Sequence, residues 1–245
     1  MNQWIAFWNI LLKDMRTYYV KPPNISWGLL FPLAWTGMFF IRSGSGLESI
    51  PDLLPGVVAL SILFGSTSVL AVTVTFEKKN RSFERLLLAP ISFELLMLAK
   101  TSGAILFGVL NAFVPVLISF FIIDLSPVNW WSFVPAVVLL STVSTFLGLF
   151  IAAAIGEVFE AQTISNFFRF PMIFLCGLFF PIERLPIFLR PLSYALPPTY
   201  GADMLRGAVG GVHAMPYLLN LAALCVFCAG LFALSLRTIR RSWIA

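Results

Sequence analysis

Apolar residues fall into six long blocks between Leu29 and Leu236, and charged residues gather almost entirely between them. A hydrocarbon core about 30 Å thick needs about 20 residues of helix, so blocks of this length predict membrane-spanning helices. The spans are placed at about 25–41, 53–76, 101–123, 133–156, 164–180 and 215–236. Ahead of them, residues 1–23 mix Trp4, Ile5, Phe7, Trp8, Ile10 and Leu11 with Lys13, Asp14 and Arg16. This stretch is too charged for a span and too aromatic for a buried helix, and it predicts an amphipathic helix lying in the cytoplasmic interface, ended by Pro22 and Pro23.

Residues 181–212 break the pattern. They are too apolar for a solvated loop, with Leu185, Ile187, Phe188 and Leu192, yet they are cut by Pro181, Pro186, Pro191, Pro197 and Pro198. Prolines that frequent forbid one continuous helix. Two short re-entrant helices, about 184–195 and 199–208, satisfy both facts where protein or water completes the broken backbone. The expected fold class is an all-α integral membrane protein: six transmembrane helices, an N-terminal interfacial helix, and re-entrant half-helices before the last span. All of this forms a single domain over 1–245.

Composition agrees. Hydrophobic residues make up 59% of the 245 residues and charged residues 11%, with a mean hydropathy of +0.92, against about 25% charged in a soluble domain. The net charge of +5 follows from topology rather than from a nucleic-acid partner. With both termini cytoplasmic, eleven basic residues fall inside: Lys13, Arg16, Lys21, Lys78, Lys79, Arg81, Arg85, Lys100, Arg237, Arg240 and Arg241. Only Arg42, Arg184, Arg190 and Arg206 fall outside, and Arg169 lies in the membrane. That asymmetry obeys the positive-inside rule and predicts a multi-pass protein of the cell (inner) membrane. The first 23 residues carry no small-residue cleavage site, so no cleavable signal is expected. Cys176, Cys225 and Cys228 lie in apolar blocks and read as buried, inert thiols, although the last two form a C-x-x-C.

Candidate chemistry is sparse. The one histidine, His213, falls in a predicted outer loop, and no metal-ligand cluster can be built on it. H-E-x-x-H, G-x-S-x-G and the phosphate-cradling G-x-x-x-x-G-K-[ST] are absent, so no catalytic residue and no metal site are expected. Any nucleotide-driven work belongs to another chain. An ion-coupled carrier keeps ionisable residues within its spans, and here Arg169 alone is expected there, about one turn inside the fifth span. Its expected partner is Glu157 or Glu160, just before it, with a substrate contact as the other reading.

Two regions invite a functional reading. Segment 77–91 is the one long charged stretch between the spans, and within it Phe83, Leu86 and Leu87 recur at helical spacing beside Glu84 and Arg85. It is either a short amphipathic helix offered to a soluble partner or a solvated turn obeying the charge rule. On the second span Phe64, Thr67, Ser68, Ala71 and Thr75, and on the fifth Phe167, Phe170, Phe174 and Phe179, form a mixed aromatic and hydroxyl surface. Such a surface suits an amphipathic cargo better than a simple ion; plain helix packing is the alternative.

Two stretches resemble the membrane subunits of ATP-binding-cassette exporters of the type-2 permease class, among them drug- and lipid-exporting members. One is the Glu84-Arg85-Leu86-Leu87 run ending in Pro90-Ile91-Ser92. The other orders Pro171, Gly177, Phe180-Pro181, Leu185-Pro186, Pro197-Pro198-Thr199-Tyr200 and Leu205-Arg206-Gly207. The resemblance implies a permease half working with two ABC ATPase subunits and a second permease chain, either a copy or a paralogue. No cofactor is implied in this chain; ATP and Mg belong to the ATPase. It also implies that Ser82, Phe83, Glu84, Arg85 and Leu86 couple to that ATPase, with Phe83 and Leu86 as anchors and the N-terminal helix as a brace. The segment holding Pro181, Leu185, Tyr200 and Arg206 would close the outer end. The second and fifth spans of the two chains would face each other across the path. The expected function is ATP-driven export of a drug-like molecule or lipid. Polysaccharide or glycolipid export by the same architecture, an ATP-independent secondary carrier, and a membrane-embedded enzyme stand as alternatives.

Overall fold

The computed structural model describes residues 3–43, 50–88, 91–178 and 181–241. Among them every regular element is helical. Helix α1 (Gln3–Asp14) runs into a widened turn, Met15–Tyr19; a short Pro22–Ile25 turn and a second widened turn, Ser26–Leu30, lead to α2 (Phe31–Ser43). Then come α3 (Ile50–Lys79), α4 (Ser82–Leu87), α5 (Phe93–Phe120), α6 (Trp130–Ala154) and α7 (Val158–Leu175). A single 3₁₀ turn (Ile182–Arg184), α8 (Arg190–Tyr194), α9 (Pro197–Gly210) and α10 (Tyr217–Ile239) complete the chain.

Local chemistry explains several boundaries. Ser92 caps α5, its Oγ accepting from the Leu95 amide at 3.4 Å, so that helix begins eight residues before the expected span. The turn from α3 to α4 is made by Arg81 in the left-handed region, φ 56°. Helix α9 stops where Gly211 takes φ 70° and its amide reaches the Gly207 carbonyl, a C-terminal cap that glycine adopts without Cβ strain. Midway along α3 the ladder widens over Leu63–Thr67. There Ser66 Oγ donates to the Ile62 carbonyl at 2.6 Å, a local bond that competes with the backbone ladder.

Helix α3 is the central element, with 94% of its most apolar window buried, whereas α10 on the periphery has 22% buried. Around α3 pack α5, α6, α7 and α9, and α10 lies along α6, where Phe146 and Phe232 meet at 4.8 Å. Small residues allow the close approach of α3 and α6: a Cβ at Gly148 would fall on the Thr67 carbonyl. The buried apolar side chains form two clusters. One joins the first half of α3 to α6, α7 and α9; the other, around Ile10, Tyr19, Phe83, Leu96 and Ile239, gathers α1, α4, the start of α5 and the end of α10. The first and last helices therefore meet at one end of the bundle, hereafter the α1 end.

Four helices, α3, α5, α6 and α10, are long and apolar enough to cross a membrane. Leu106, Leu110, Leu117, Leu218, Val226 and Leu234 are exposed on α5 and α10, an outward apolar face that suits lipid and not water. The protein is an all-α, multi-pass membrane protein. Helix α2, 13 residues long, is shorter than those four, and α7 is diluted by Glu160, Gln162, Asn166 and Arg169. The segment expected as two re-entrant helices contains one α-helix longer than five residues, α9. Pro186 and Pro191 confine what precedes it to short turns.

Candidate functional site

Helix α7 begins at Val158, six residues earlier than the sequence pattern predicts. Arg169 therefore lies roughly three turns inside it and not one. Gln162, Asn166, Arg169 and Phe170 fall at helical spacing on one face. Facing them from α3 are Phe64, Ser68, Val69 and Val72, and Phe31 and Asn24 close the third side around a cavity of about 400 Å³.

Arg169 is 1% exposed. Its Nη2 donates to Ser68 Oγ and, at 2.8 Å, to Asn166 Oδ1, while Nε donates to the Ser165 carbonyl at 3.4 Å. Its guanidinium carbon stands 4.2 Å from the centroid of the Phe64 ring, a cation–π contact. The expected pairing with Glu157 or Glu160 is not made. Glu157 pairs instead with Lys79 at 2.7 Å, and Glu160 is exposed. The physical reason is the early start of α7, which carries Arg169 two to three turns from either acid and turns it inward. Among the described residues no carboxylate lies within ion-pair distance of it.

The other residues expected to line a path separate into groups. Phe64, Ser68 and Phe170 line the cavity. Thr67 and Thr75 are fully buried within the protein, Thr75 Oγ1 donating to the Ala71 carbonyl at 2.8 Å. Phe167 and Phe174 are exposed on the outer face of α7. Phe179 lies outside the described residues.

The α1 end holds a group of charges that the sequence reading missed. Lys100, on α5, is buried and donates to Glu77 of α3 and, at 3.1 Å, to Asp14 of α1. Lys13 reaches Glu77 at 2.6 Å and Asp14 at 2.9 Å, and Tyr19 donates its hydroxyl to the Lys100 carbonyl at 3.3 Å. Burial works against the Lys13 charge, but the hydrogen bonds to Glu77 and Asp14 outweigh it and hold its pKa above the ordinary lysine range. These residues read as interfacial charges in the sequence; the available signal was Glu77 and Lys100 each standing beside long apolar runs.

Helix α4 leans on the same end. Phe83 is 2% exposed and sits in the protein's own core, which corrects the expectation that it anchors a partner. Glu84 and Arg85 are exposed, and Ser82 and Leu86 are half-buried. At the opposite end a cavity of about 500 Å³ is bordered by Pro51, Asp52, Pro181, Asp203, Arg206 and His213, among others. Asp203 accepts from the amides of Ala214 (2.8 Å) and Met215 (3.0 Å) and from Asn220 Nδ2 (2.7 Å), pinning the turn into α10. Of the expected gate, Pro181 and Arg206 line this cavity. Leu185 is half-buried, its carbonyl accepting from Arg190 Nε at 3.1 Å, and Tyr200 donates to the Tyr194 carbonyl at 2.7 Å. Cys176 is buried, but Cys225 is exposed on α10, correcting its expected burial.

Comparison with known proteins gives a consistent result. The family profile described as ABC-2 type transporter matches residues 5–209. The inner membrane transport permease YadH of Escherichia coli (strain K12) is 23% identical over 247 residues, covering 97% of this chain and 96% of the relative. Nodulation protein J of Sinorhizobium fredii is 25% identical over 254 residues, covering 97% and 93%. Nodulation protein J of Neorhizobium galegae is 24% identical over 251 residues, again covering 97% and 93%.

Proposed function

The chain belongs to the ABC-2 type transporter family, and from that premise we propose that it is the membrane half of an ATP-driven exporter. In this reading it carries an amphipathic molecule, drug-like or lipid, out of the cytoplasm or inner leaflet. Two ABC ATPase subunits supply ATP and Mg, and a second permease chain, a copy or a paralogue, completes the path. Six segments cross the bilayer, α2 and α7 joining the four long apolar helices, and both termini are cytoplasmic. The excess of Lys and Arg at the α1 end supports that orientation.

The observation that carries the proposal is the cavity between α3 and α7. It combines phenylalanine walls with amide, hydroxyl and guanidinium groups. Its volume lies within the ordinary range of small-molecule sites. For coupling, α4 would offer Glu84 and Arg85 to the ATPase, while the buried Phe83 would transmit their displacement into the core that α1 and α5 share. A bound nucleotide shifts the permease only through such a differential contact.

The test is reconstitution with an ABC ATPase encoded beside this chain, measuring ATP turnover and cargo movement in proteoliposomes. Movement that requires ATP and both proteins supports the proposal. Full movement without the ATPase, driven by an ion gradient, would replace it with a secondary carrier. Polysaccharide or glycolipid cargo is the second reading, favoured by the aromatic face that Phe167, Phe170 and Phe174 expose on α7.

A further inference from the structure

Arg169 carries a charge that the described protein does not neutralise. Its hydrogen-bond partners, Ser68, Asn166 and the Ser165 carbonyl, are neutral, as is the Phe64 ring beneath it. Its Nη1 has no hydrogen-bond partner among the described residues. A buried charge is ordinarily paired because desolvation is costly, and an ionisable group within a membrane bundle is by default a functional one. The residue also stands beside open space: it lines the cavity between α3 and α7 with Asn24 and Gln162. The Asn24 side-chain amide gives one N–H to the Tyr18 carbonyl at 2.7 Å and keeps the other, and the Gln162 amide holds Ser68 Oγ and Asn166 Oδ1 only at 3.3 and 3.5 Å.

We infer that this cavity is an oxyanion site, taking the phosphate or carboxylate of a molecule that Arg169 holds by charge-assisted hydrogen bonds. Nε and Nη2 are already engaged, so Nη1 is the guanidinium nitrogen left to donate to such a group. Gln162 donates to Ser68 Oγ at 3.3 Å, so an arriving anion meets donors already clustered on one side. Phe31, Phe64 and Phe170 supply the apolar part of the same wall, and an anionic head on an apolar body fits both at once. The inference rests on the exporter reading and narrows its cargo to anionic amphipaths.

The experiment uses the purified full-length chain in nanodiscs of zwitterionic lipid, with radiolabelled dodecyl phosphate as probe. Inorganic phosphate, dodecyltrimethylammonium and dodecyl maltoside serve as competitors. Saturable binding is expected, resisted by the cationic and neutral detergents. Competition by inorganic phosphate at similar concentration assigns the site to a free anion; failure of phosphate to compete assigns it to the head of an amphipath, and both outcomes support an oxyanion site. Arg169→Gln is expected to weaken binding about tenfold or more, the share of one charge-assisted hydrogen bond.

Because that variant empties a buried position, Asn166→Asp provides the decisive comparison. It is nearly isosteric and places a carboxylate 2.8 Å from the guanidinium, so it is expected to abolish probe binding while raising the unfolding temperature. Dodecyl phosphate binding no better than dodecyl maltoside, or binding unchanged in Asn166→Asp, would overturn the inference. No ATPase takes part in this assay, so its failure leaves ATP-coupled export standing, and intact anion binding without ATP-coupled export would remove only the latter.

Discussion

Replacing Lys100 by methionine would strand the carboxylates of Asp14 and Glu77 in the protein interior with only the partly exposed Lys13 beside them. Removing one partner of a buried ion pair costs about 3–5 kcal/mol. Lys100→Met is therefore expected to lower the unfolding temperature sharply in detergent. The double variant Glu77→Gln, Lys100→Met should recover most of the loss, because Lys13 and Asp14, 2.9 Å apart, then remain as a matched pair. A second expectation concerns Gly148. A methyl there meets the backbone of Thr67, which cannot swing aside as a side chain can, and overpacking of this kind costs about 1–3 kcal/mol. Gly148→Ala should therefore destabilise the chain, while alanine at Gly210, where nothing lies within 4 Å, should be tolerated.

At the scale of elements, α4 separates two roles that its sequence blends. Phe83→Ala removes a core aromatic and is expected to destabilise by about 3–5 kcal/mol. Glu84→Lys, on the exposed side, should leave stability within about 0.5 kcal/mol yet lower substrate-stimulated ATP turnover in the assembled complex. Equal coupling in the Glu84 variant and the parent would discard the proposed contact. The amphipathic pattern of α4 was legible from Phe83, Leu86 and Leu87, but periodicity cannot say whether an apolar edge meets a partner or the chain's own core. Helix α7 shows the same limit. Glu160 and Gln162 look like a loop preceding a span because polarity reads as solvent, although here Gln162 joins Asn166 in facing a cavity inside the protein. The long apolar runs of α3, α5, α6 and α10 had no such ambiguity, since only length and hydropathy were needed to find them.

For the whole molecule, α7 presents Phe167, 70% exposed, together with Phe159 and Phe174 on its outer side. If a second permease chain packs there, a cysteine at Phe167 in a Cys225→Ser background should form a disulfide-linked dimer in membranes, because such bonds need Cα atoms within about 7 Å. A cysteine at Leu218, exposed on α10, serves as the control that should remain monomeric. The same scale exposes what sequence patterns hide. Asp14, Glu77 and Lys100 lie on three different helices, 86 and 23 positions apart from Lys100, so nothing local in the chain signals that they meet. They bind α1 to α3 and α5 at the end where α4 also docks.

The widened turn at Leu63–Thr67 interrupts a helix that otherwise runs unbroken from Ile50 to Lys79. As a stiff rod roughly 45 Å long, it would carry a 5° tilt at its α4 end into a far-end displacement of about 4 Å. With a pliable joint beside Phe64 and Ser68, part of that sweep would instead be spent as a bend at the cavity wall. A single lever can then either swing its distant tip or squeeze the chamber at its middle, and the stiffness of one loosened turn sets the balance between the two strokes.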